Sequence, residues 1–312
     1  MTGRHGRRTW WGPALGALVA LVAGMALLAT DGAPLAQTLA RVSAAPLTEA
    51  VPAPAAPPDT PEPPPVERGL AQAAVNAAQE QAASATQLGV AVFDRTTGEL
   101  AVGDRGHERF YTASLAKLIV IVDVLDRRRT EGLKVTDADL KLFERALGPS
   151  DDSAMSALWE KFDGPGAPAR VSARLGLEGT AAPKRFGQWG EVEVTAADYA
   201  TLWKYVLDDM PAADRELLTT DMAAAPSTAK DGFDQGFGLL SSEIRGDGTG
   251  AVAKQGWMCC FSSQYYLHSA GVLGPENRFV VVLLTRQPRT KGWPAARSEQ
   301  TGIATKAVAA LR

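Results

Sequence analysis

Hydrophobic positions along the chain form short apolar runs and longer stretches in which apolar residues recur at helical spacing. The short runs are bounded by turn residues such as Thr96-Thr97-Gly98 and predict β-strands. The predicted strands cover residues 88–94, 99–103, 251–254, 264–272 and 279–285. The predicted helices cover residues 70–83, 114–128, 151–163, 167–175, 196–209, 212–222 and 295–311. This order indicates an α+β fold, an antiparallel sheet packed by terminal helices with an inserted all-helical region.

The helix predicted from Ser114 to about Arg128 carries apolar residues on every side, which is typical of a helix buried in the middle of a domain. Its first turn places Ser114 and Lys117 on one face. Burial and the helix N-terminus both lower the pKa of a lysine, and a neutral lysine can take a proton from a hydroxyl. Backbone N–H groups at the same end suit an oxyanion. Taken alone, the motif also fits a serine cap and a lysine that reaches solvent.

Composition and charge argue against several classes of partner and of metal site. The 312 residues are 46% hydrophobic and 21% charged, as in globular proteins, with length for one large domain or two small ones. Without residues 1–45, the chain has 28 basic against 34 acidic residues, a net charge of −6. Such a balance argues against nucleic acid as a partner. Three histidines and two cysteines nearly exclude a multi-ligand zinc or iron–sulfur site.

Residues 1–45 have the pattern of an export signal or an N-terminal membrane anchor. Three arginines precede an apolar run over residues 14–30, and the two tryptophans before it extend this run to about the ~20 residues that span a bilayer. A buried core helix is the alternative. No cysteine lies near the run, so a lipid anchor is not expected.

Residues 46–66 are rich in proline and alanine, favour an extended polyproline conformation and predict a linker. The functional domain should therefore span residues 67–312. We expect this domain to be exported, either secreted or held at the membrane through the N-terminal segment.

Two further motifs follow the Ser114 helix. Ser150-Asp151-Asp152 opens a predicted helix, and Lys254-Gln255-Gly256 ends a predicted strand. The ordered set S-x-x-K, S-D-[N] and K-[T]-G is the signature of class A β-lactamases and penicillin-binding proteins. Over residues 70–312, the chain resembles these penicillin-recognising serine hydrolases, which include D-alanyl-D-alanine peptidases.

The resemblance implies a serine hydrolase that acts on a β-lactam or a D-alanyl peptide of the cell wall, without metal or organic cofactor. It implies that Ser114 is the acylated nucleophile, that Lys117 accepts its proton and that Ser150 relays a proton to the leaving nitrogen. Backbone N–H groups of Ser114 and Trp257 would form the oxyanion hole, and Lys254 would supply positive charge. The substrate-binding candidates are Asp152, Lys254, Gln255, Gly256 and Trp257. We expect a monomer.

Three departures from the family pattern bear on activity. Asp152 replaces an asparagine; an ionised aspartate can pair with Lys117 but cannot donate a hydrogen bond to a substrate carbonyl. Gln255 replaces a threonine or serine. No Glu-x-x-Leu-Asn motif supplies a carboxylate for deacylation, although Glu178, Glu191 and Glu193 lie in that region. The sequence therefore predicts acylation machinery without a recognised group for fast deacylation.

Two alternative functions remain open. One is a domain that has lost catalysis and binds cell-wall peptide or a protein partner, and the other is a hydrolase for a different ester or amide. Cys259 and Cys260 fit either a vicinal disulfide or two thiols. No motif connects His107 or His268 to these cysteines, and we expect His268 to lie in the core or on the face of the sheet.

Overall fold

The computed structural model describes residues 67–312. The predicted export signal or anchor (1–45) and the predicted linker (46–66) lie outside the described residues. The main sheet is five-stranded and antiparallel, with the order β2-β1-β7-β6-β5. Its strands are β1 (Gln87–Asp94), β2 (Glu99–Val102), β5 (Val252–Cys259), β6 (Gln264–Leu273) and β7 (Phe279–Pro288), and a two-residue pair is formed by β3 (Phe110–Tyr111) and β4 (Glu193–Val194).

Helices cover both faces of the sheet. They are α1 (Leu70–Gln81), α2 (Ala116–Thr130), α3 (Asp137–Leu147), α4 (Asp152–Lys161), α5 (Ala167–Leu175), α6 (Ala196–Asp208), α7 (Ala212–Ala223), α8 (Ser242–Gly246) and α9 (Trp293–Ala309). In β1, Val90 and Val92 pack with α1 and α9, whereas Ala91 and Phe93 pack with the helical block. This alternation follows from the two-residue period of a strand. The predicted α+β architecture is confirmed.

The helix α2 is the central element of the helical block. Every residue from Ala116 to Asp126 is buried, as its all-round apolar sequence predicts. The α-helix begins two residues after the predicted start, because Ala113–Leu115 form a 3-10 turn. Ser114 therefore lies in a tight turn ahead of the helix, and Ala113 before it has a left-handed φ of 46°.

The structure differs from the predicted elements in two main places. The prediction omits α3, whose apolar stripe at Leu140, Phe143 and Leu147 is narrow, although Thr136 and Asp139 form a capping box at its start. The strand β5 continues to Cys259 instead of ending at Lys254, because it pairs with β6 along its whole length. Among residues 67–312, none of the helices combines the length and hydropathy that crossing a membrane requires.

Candidate active site

The turn that carries Ser114 is held from both sides by buried hydrogen bonds. The Tyr199 hydroxyl donates to the Leu115 carbonyl at 3.1 Å, and His268 Nε2 lies 2.8 Å from the Tyr111 carbonyl oxygen. The Thr285 amide donates to His268 Nδ1, so the proton of the neutral ring lies on Nε2. Burial lowers the pKa of His268 to about 4, which keeps the ring neutral at pH 7. His268 is a fully buried residue of the sheet face, as predicted.

Lys117 is the hub of a buried hydrogen-bond network. Its side chain is completely buried, and its Nζ lies 2.9 Å from Ser114 Oγ and 3.0 Å from Ser150 Oγ. The same nitrogen lies 2.7 Å from the Ser150 carbonyl oxygen and 2.8 Å from Asp152 Oδ1. Four acceptors thus surround an ammonium that has three hydrogens. Asp152 pairs with Lys117, as its replacement of asparagine led us to expect.

Lys254 reaches the same hydroxyl from the sheet. Its Nζ lies 2.9 Å from Ser150 Oγ and 3.0 Å from the Gln255 carbonyl oxygen, and its side chain is 1% exposed. Ser150 Oγ therefore lies between two lysines. A continuous chain of hydrogen bonds connects Ser114 to Lys254 through Lys117 and Ser150.

The loop that presents Ser150 is fixed by groups from three directions. The Gln235 amide donates to the Gly148 carbonyl, and the Lys230 backbone amide donates to the Pro149 carbonyl. Asp151 caps α4 through the Ser153 amide at 2.8 Å. Ser150 itself has a left-handed φ of 57°. Unfavourable backbone conformations of this kind persist where the surroundings enforce them and cluster at functional sites.

Electrostatics distinguish the two lysines. Burial lowers the pKa of Lys117, while the Asp152 carboxylate acts in the opposite direction. Burial lowers the pKa of Lys254 far below its ordinary value of 10.5, and the positive charge of Lys117 lowers it further. Two buried ammonium groups on one hydroxyl repel each other. We infer that the proton is held more firmly at Lys117 than at Lys254.

The network around Ser150 has two sides, which we call the helical wall (α2 and the start of α4) and the strand wall (β5), and we call the region between them the cleft. A Cβ atom at Gly256 would lie 2.9 Å from the Thr112 carbonyl oxygen, so only glycine permits this approach to the turn before Ser114. Gln255 is fully buried and donates from its amide nitrogen to the carbonyls of Gln235 and Phe237. Its side chain therefore lies behind the wall and not in the cleft.

Trp257 is anchored by a loop next to β5. Its indole stacks on the Phe233 ring with centroids 4.7 Å apart, and its Nε1 donates to Asp231 Oδ2 at 3.0 Å. The Lys254 ammonium lies 5.8 Å from the Trp257 ring centroid. These contacts hold Trp257 in place, one residue after the point where Gly256 lies against the Thr112 carbonyl.

Trp189 borders Lys117 at the other side of the cleft. Its ring centroid lies 5.0 Å from Lys117 Nζ, and its indole nitrogen contacts Ser156 Oγ at 3.3 Å. Nearby Glu191 is buried and paired with Arg185, and Glu193 faces Arg109. Among the described carboxylates, Asp152 is the one that hydrogen-bonds a lysine of the network. Trp189 and Asp231 are not among the site residues predicted from the sequence, because neither stands in a motif.

Cys259 and Cys260 are joined in the structure as a vicinal disulfide at the exposed end of β5. This is the first of the two alternatives that the sequence left open.

Sequence comparison with known proteins shows the family of this chain. Protein-family models give no match to the chain. The chain is 34% identical over 218 residues to a protein of Mycobacterium tuberculosis named "Putative lipoprotein LppW", covering 68% of this chain and 67% of the relative. This chain belongs to the LppW family. The LppW protein of Mycobacterium bovis shows the same identity and coverage.

Solved structures show which fold this member of the LppW family has. A β-lactamase from Chitinophaga pinensis matches with a TM-score of 0.59 and 14% identity, over 77% of this chain and 96% of that structure. The TLA-1 extended-spectrum β-lactamase matches with a TM-score of 0.62 and 13% identity, over 77% and 99%. A β-lactamase from Sphaerobacter thermophilus matches with a TM-score of 0.60 and 17% identity, over 77% and 97%. The fold is that of class A β-lactamases.

Proposed function

We propose that this protein is an exported serine acyl-hydrolase that forms an acyl-enzyme at Ser114 with a β-lactam or a D-alanyl peptide amide. The observation that carries the proposal is the buried hydrogen-bond chain from Ser114 through Lys117 and Ser150 to Lys254. This arrangement gives a serine hydroxyl, a lysine whose pKa is lowered by burial, and a route for its proton.

In the proposed mechanism, neutral Lys117 takes the proton of Ser114 as the serine oxygen attacks the substrate carbonyl. The backbone N–H groups of Ser114 and Trp257 stabilise the oxyanion. When the C–N bond breaks, Ser150 donates its proton to the leaving nitrogen and receives one from Lys117. Water then hydrolyses the acyl-enzyme and restores Ser114.

We expect hydrolysis of this acyl-enzyme to be slow. Glu191, one of the glutamates in the corresponding region, is held by Arg185, and Trp189 lies beside Lys117. Within the hydrogen-bond network, Lys117 is the group in contact with Ser114 that would activate water, and Asp152 opposes its deprotonation. A protein of this kind would accumulate acyl-enzyme in the manner of a penicillin-binding protein.

The second candidate function is a catalytically weakened domain that binds cell-wall peptide or a protein partner. The ion pair between Lys117 and Asp152 favours it, because a fully hydrogen-bonded ammonium is a poor base. The direction of the Gln255 side chain, behind the cleft wall, is also consistent with a loss of substrate contacts.

The location of the protein is part of the proposal. LppW is named a lipoprotein, and the arginines and apolar run within residues 1–45 support export of this chain. The two cysteines of this chain are Cys259 and Cys260, far from residues 1–45. We therefore propose that the apolar segment itself, and not a lipid on a cysteine, holds the protein at the membrane. We propose that the domain acts as a monomer.

The deciding experiment is the intact mass of the full chain during incubation with a penicillin, beside Ser114→Ala. We expect a persistent adduct of one penicillin mass that is absent from the variant. A transient adduct with product release would indicate a β-lactamase with another means of activating water. Labelling that survives in Ser114→Ala would refute Ser114 as nucleophile, and the absence of any adduct would favour the binding domain or another acyl substrate.

A further inference from the structure

A polar cavity of about 220 Å³ lies at the Cys259 end of β5. Its lining residues are Arg109, Tyr111, Glu193, Phe261, Ser262, Tyr266 and Arg286, and we call it the Arg–Tyr pocket. It is smaller than the ~300–1,000 Å³ that surround a whole small-molecule ligand. The pocket therefore suits one substituent of a larger molecule.

Aromatic side chains give the pocket fixed walls. The ring centroids of Tyr111 and Tyr266 lie 5.4 Å apart, and those of Tyr111 and Phe261 lie 5.1 Å apart. Tyr111 is further held through its carbonyl by buried His268. These contacts fix the position of the pocket relative to the Ser114 turn, which begins two residues after Tyr111.

Two guanidinium groups supply hydrogen-bond donors that the protein does not fully use. Arg286 binds Glu108 through Nη2 at 3.0 Å, but its Nε is buried and has no hydrogen-bond partner among residues 67–312. Arg109 is half exposed; its Nη2 donates to the Glu178 carbonyl at 3.3 Å, and its Nη1 contacts Glu193 at 3.4 Å, which is long for a charged pair. The lining residues include two guanidiniums and one carboxylate, Glu193, while the second carboxylate, Glu108, binds Arg286 from outside the lining. A planar carboxylate matches the paired donors of a guanidinium.

The strand β5 connects this pocket to the nucleophile. Its residues Lys254, Gly256 and Met258 share one face, and they lie against Ser150, Thr112 and the Trp189 loop, respectively. The strand from Lys254 to Cys259 is about 17 Å long. Tyr111 and Ser114 are three residues apart, so their Cα atoms are separated by at most about 11 Å. The distance from Ser114 to the Tyr111 side of the pocket is therefore no longer than a substituent of a few bonds carried by a substrate bound at Ser114.

The two ends of the β5 segment from Lys254 to Cys259 have different charged neighbours. At the Lys254 end, the carboxylates of Asp152 and Asp231 act on both buried lysines, and Lys254 itself donates to Ser150 Oγ and the Gln255 carbonyl. At the Cys259 end, Arg109 and Arg286 face the pocket. The Cys259 end of β5 therefore offers guanidinium donors to a further negative group of an extended substrate.

We propose that the Arg–Tyr pocket is a subsite that binds a carboxylate carried by the acyl portion of the substrate. This inference rests on the proposed function, because Ser150 and Lys254 define the leaving-group side of Ser114 and the pocket lies towards the other end of β5. It adds a substrate class, an acyl donor with a carboxylate remote from the reacting carbonyl.

The test measures binding by calorimetry to the full-length Ser114→Ala protein, which does not require turnover. The probes are mono-p-nitroanilides of linear dicarboxylic acids of increasing chain length, each beside its uncharged methyl ester. At the chain length that reaches the pocket, we expect the acid to bind about tenfold more tightly than its ester, as for a charged hydrogen bond. Arg109→Gln or Arg286→Gln, each added to Ser114→Ala, should reduce this ratio to about threefold or less.

Arg312→Gln is the matched control, since Arg312 is as exposed as Arg109 and forms one ion pair, with Asp247 at 3.0 Å, far along the sequence from the pocket. It should leave the ratio unchanged. Equal binding of acid and ester at every length, or a ratio that survives both arginine variants, would overturn the subsite. The exposed position of Arg109 keeps the test valid should Arg286→Gln not fold.

Failure of the proposed function is visible separately, in the wild-type protein. If penicillin and a fluorophosphonate both leave Ser114 unlabelled, the acyl-hydrolase proposal fails, and with it the assignment of this pocket to an acyl portion. If Ser114 is labelled but acid and ester bind equally, the function stands and the subsite alone is wrong.

Discussion

The two walls of the cleft present a buried lysine to the same serine hydroxyl, but in different surroundings. On the helical wall, Lys117 binds the Asp152 carboxylate as well as neutral oxygens. On the strand wall, Lys254 binds a hydroxyl and a backbone carbonyl, both neutral. Burial lowers the pKa of each, and the carboxylate opposes this effect more strongly at Lys117 because it is in direct contact. Equal burial therefore does not give equal protonation.

This comparison assigns different chemistry to the two walls. The contact with Asp152 favours a proton on Lys117, the residue next to Ser114, and so restrains the step in which Lys117 would accept the serine proton. Lys254 completes the hydrogen-bond network with no ion pair of its own. Substitutions at Lys117, Asp152 and Lys254 should therefore have effects of different size.

The largest expected effect comes from Lys117→Arg. A guanidinium stays protonated, so we expect acylation of Ser114 to slow by about a thousandfold or more. Lys254→Arg keeps a hydrogen-bond donor to Ser150 on the strand wall and should slow acylation far less. The measurement is the rate of adduct formation by intact mass. Equal rates for Lys117→Arg and the wild type would rule out Lys117 as the base.

Asp152→Asn should have a smaller effect, in the opposite direction. The carboxylate raises the pKa of Lys117, so its removal increases the neutral fraction at pH 7 and speeds acylation severalfold, up to about tenfold. Because the neutral lysine is the active form, the rate rises with pH, and in the variant this rise should occur at lower pH. Asp234→Asn, a change at an exposed aspartate paired with Arg297, is the control. An unshifted pH profile of the acylation rate would contradict the restraint by Asp152.

Lys254→Met should give the smallest effect, and it concerns stability. The folded-state pKa of Lys254 lies below the unfolded value of 10.5, so between these values the unfolded chain binds more protons and the free energy of unfolding rises with pH. Replacing the buried amine should stabilise the protein by about 1–2 kcal/mol at pH 7, and by less as the pH approaches 10. Urea unfolding at several pH values measures this difference. A variant that is less stable than the wild type at pH 7 would show that the hydrogen bonds of Lys254 outweigh its desolvation.

Local patterns were sufficient to predict much of the helical wall. The apolar sequence of α2 predicted its burial, and the spacing of Ser114 and Lys117 predicted their contact. The replacement of asparagine by Asp152 also raised a pairing with Lys117, because an ionised aspartate accepts hydrogen bonds. The helix was predicted two residues too early, since a 3-10 turn and an α-helix share similar hydrophobic spacing over three residues.

The strand wall was less predictable. The predicted strand stops within Lys254-Gln255-Gly256, which is too early to establish the alternation that turns Lys254 towards Ser150 and Gln255 away from it. The length and register of β5 depend on its pairing with β6, which is a long-range property. Trp189, Asp231 and the arginines of the Arg–Tyr pocket come from loops and strands far apart in sequence, and no spacing rule connects them.

The sequence by itself determined the order of the elements, the burial of α2 and the pairing of Ser114 with Lys117, because these depend on residues within a turn or two of one another. The tertiary structure decided the meeting of Lys254 and Ser150 across 104 residues, the direction of Gln255 and the lining of the Arg–Tyr pocket. The physical reason is that periodicity fixes the faces of each element, whereas strand pairing and helix packing fix which faces meet.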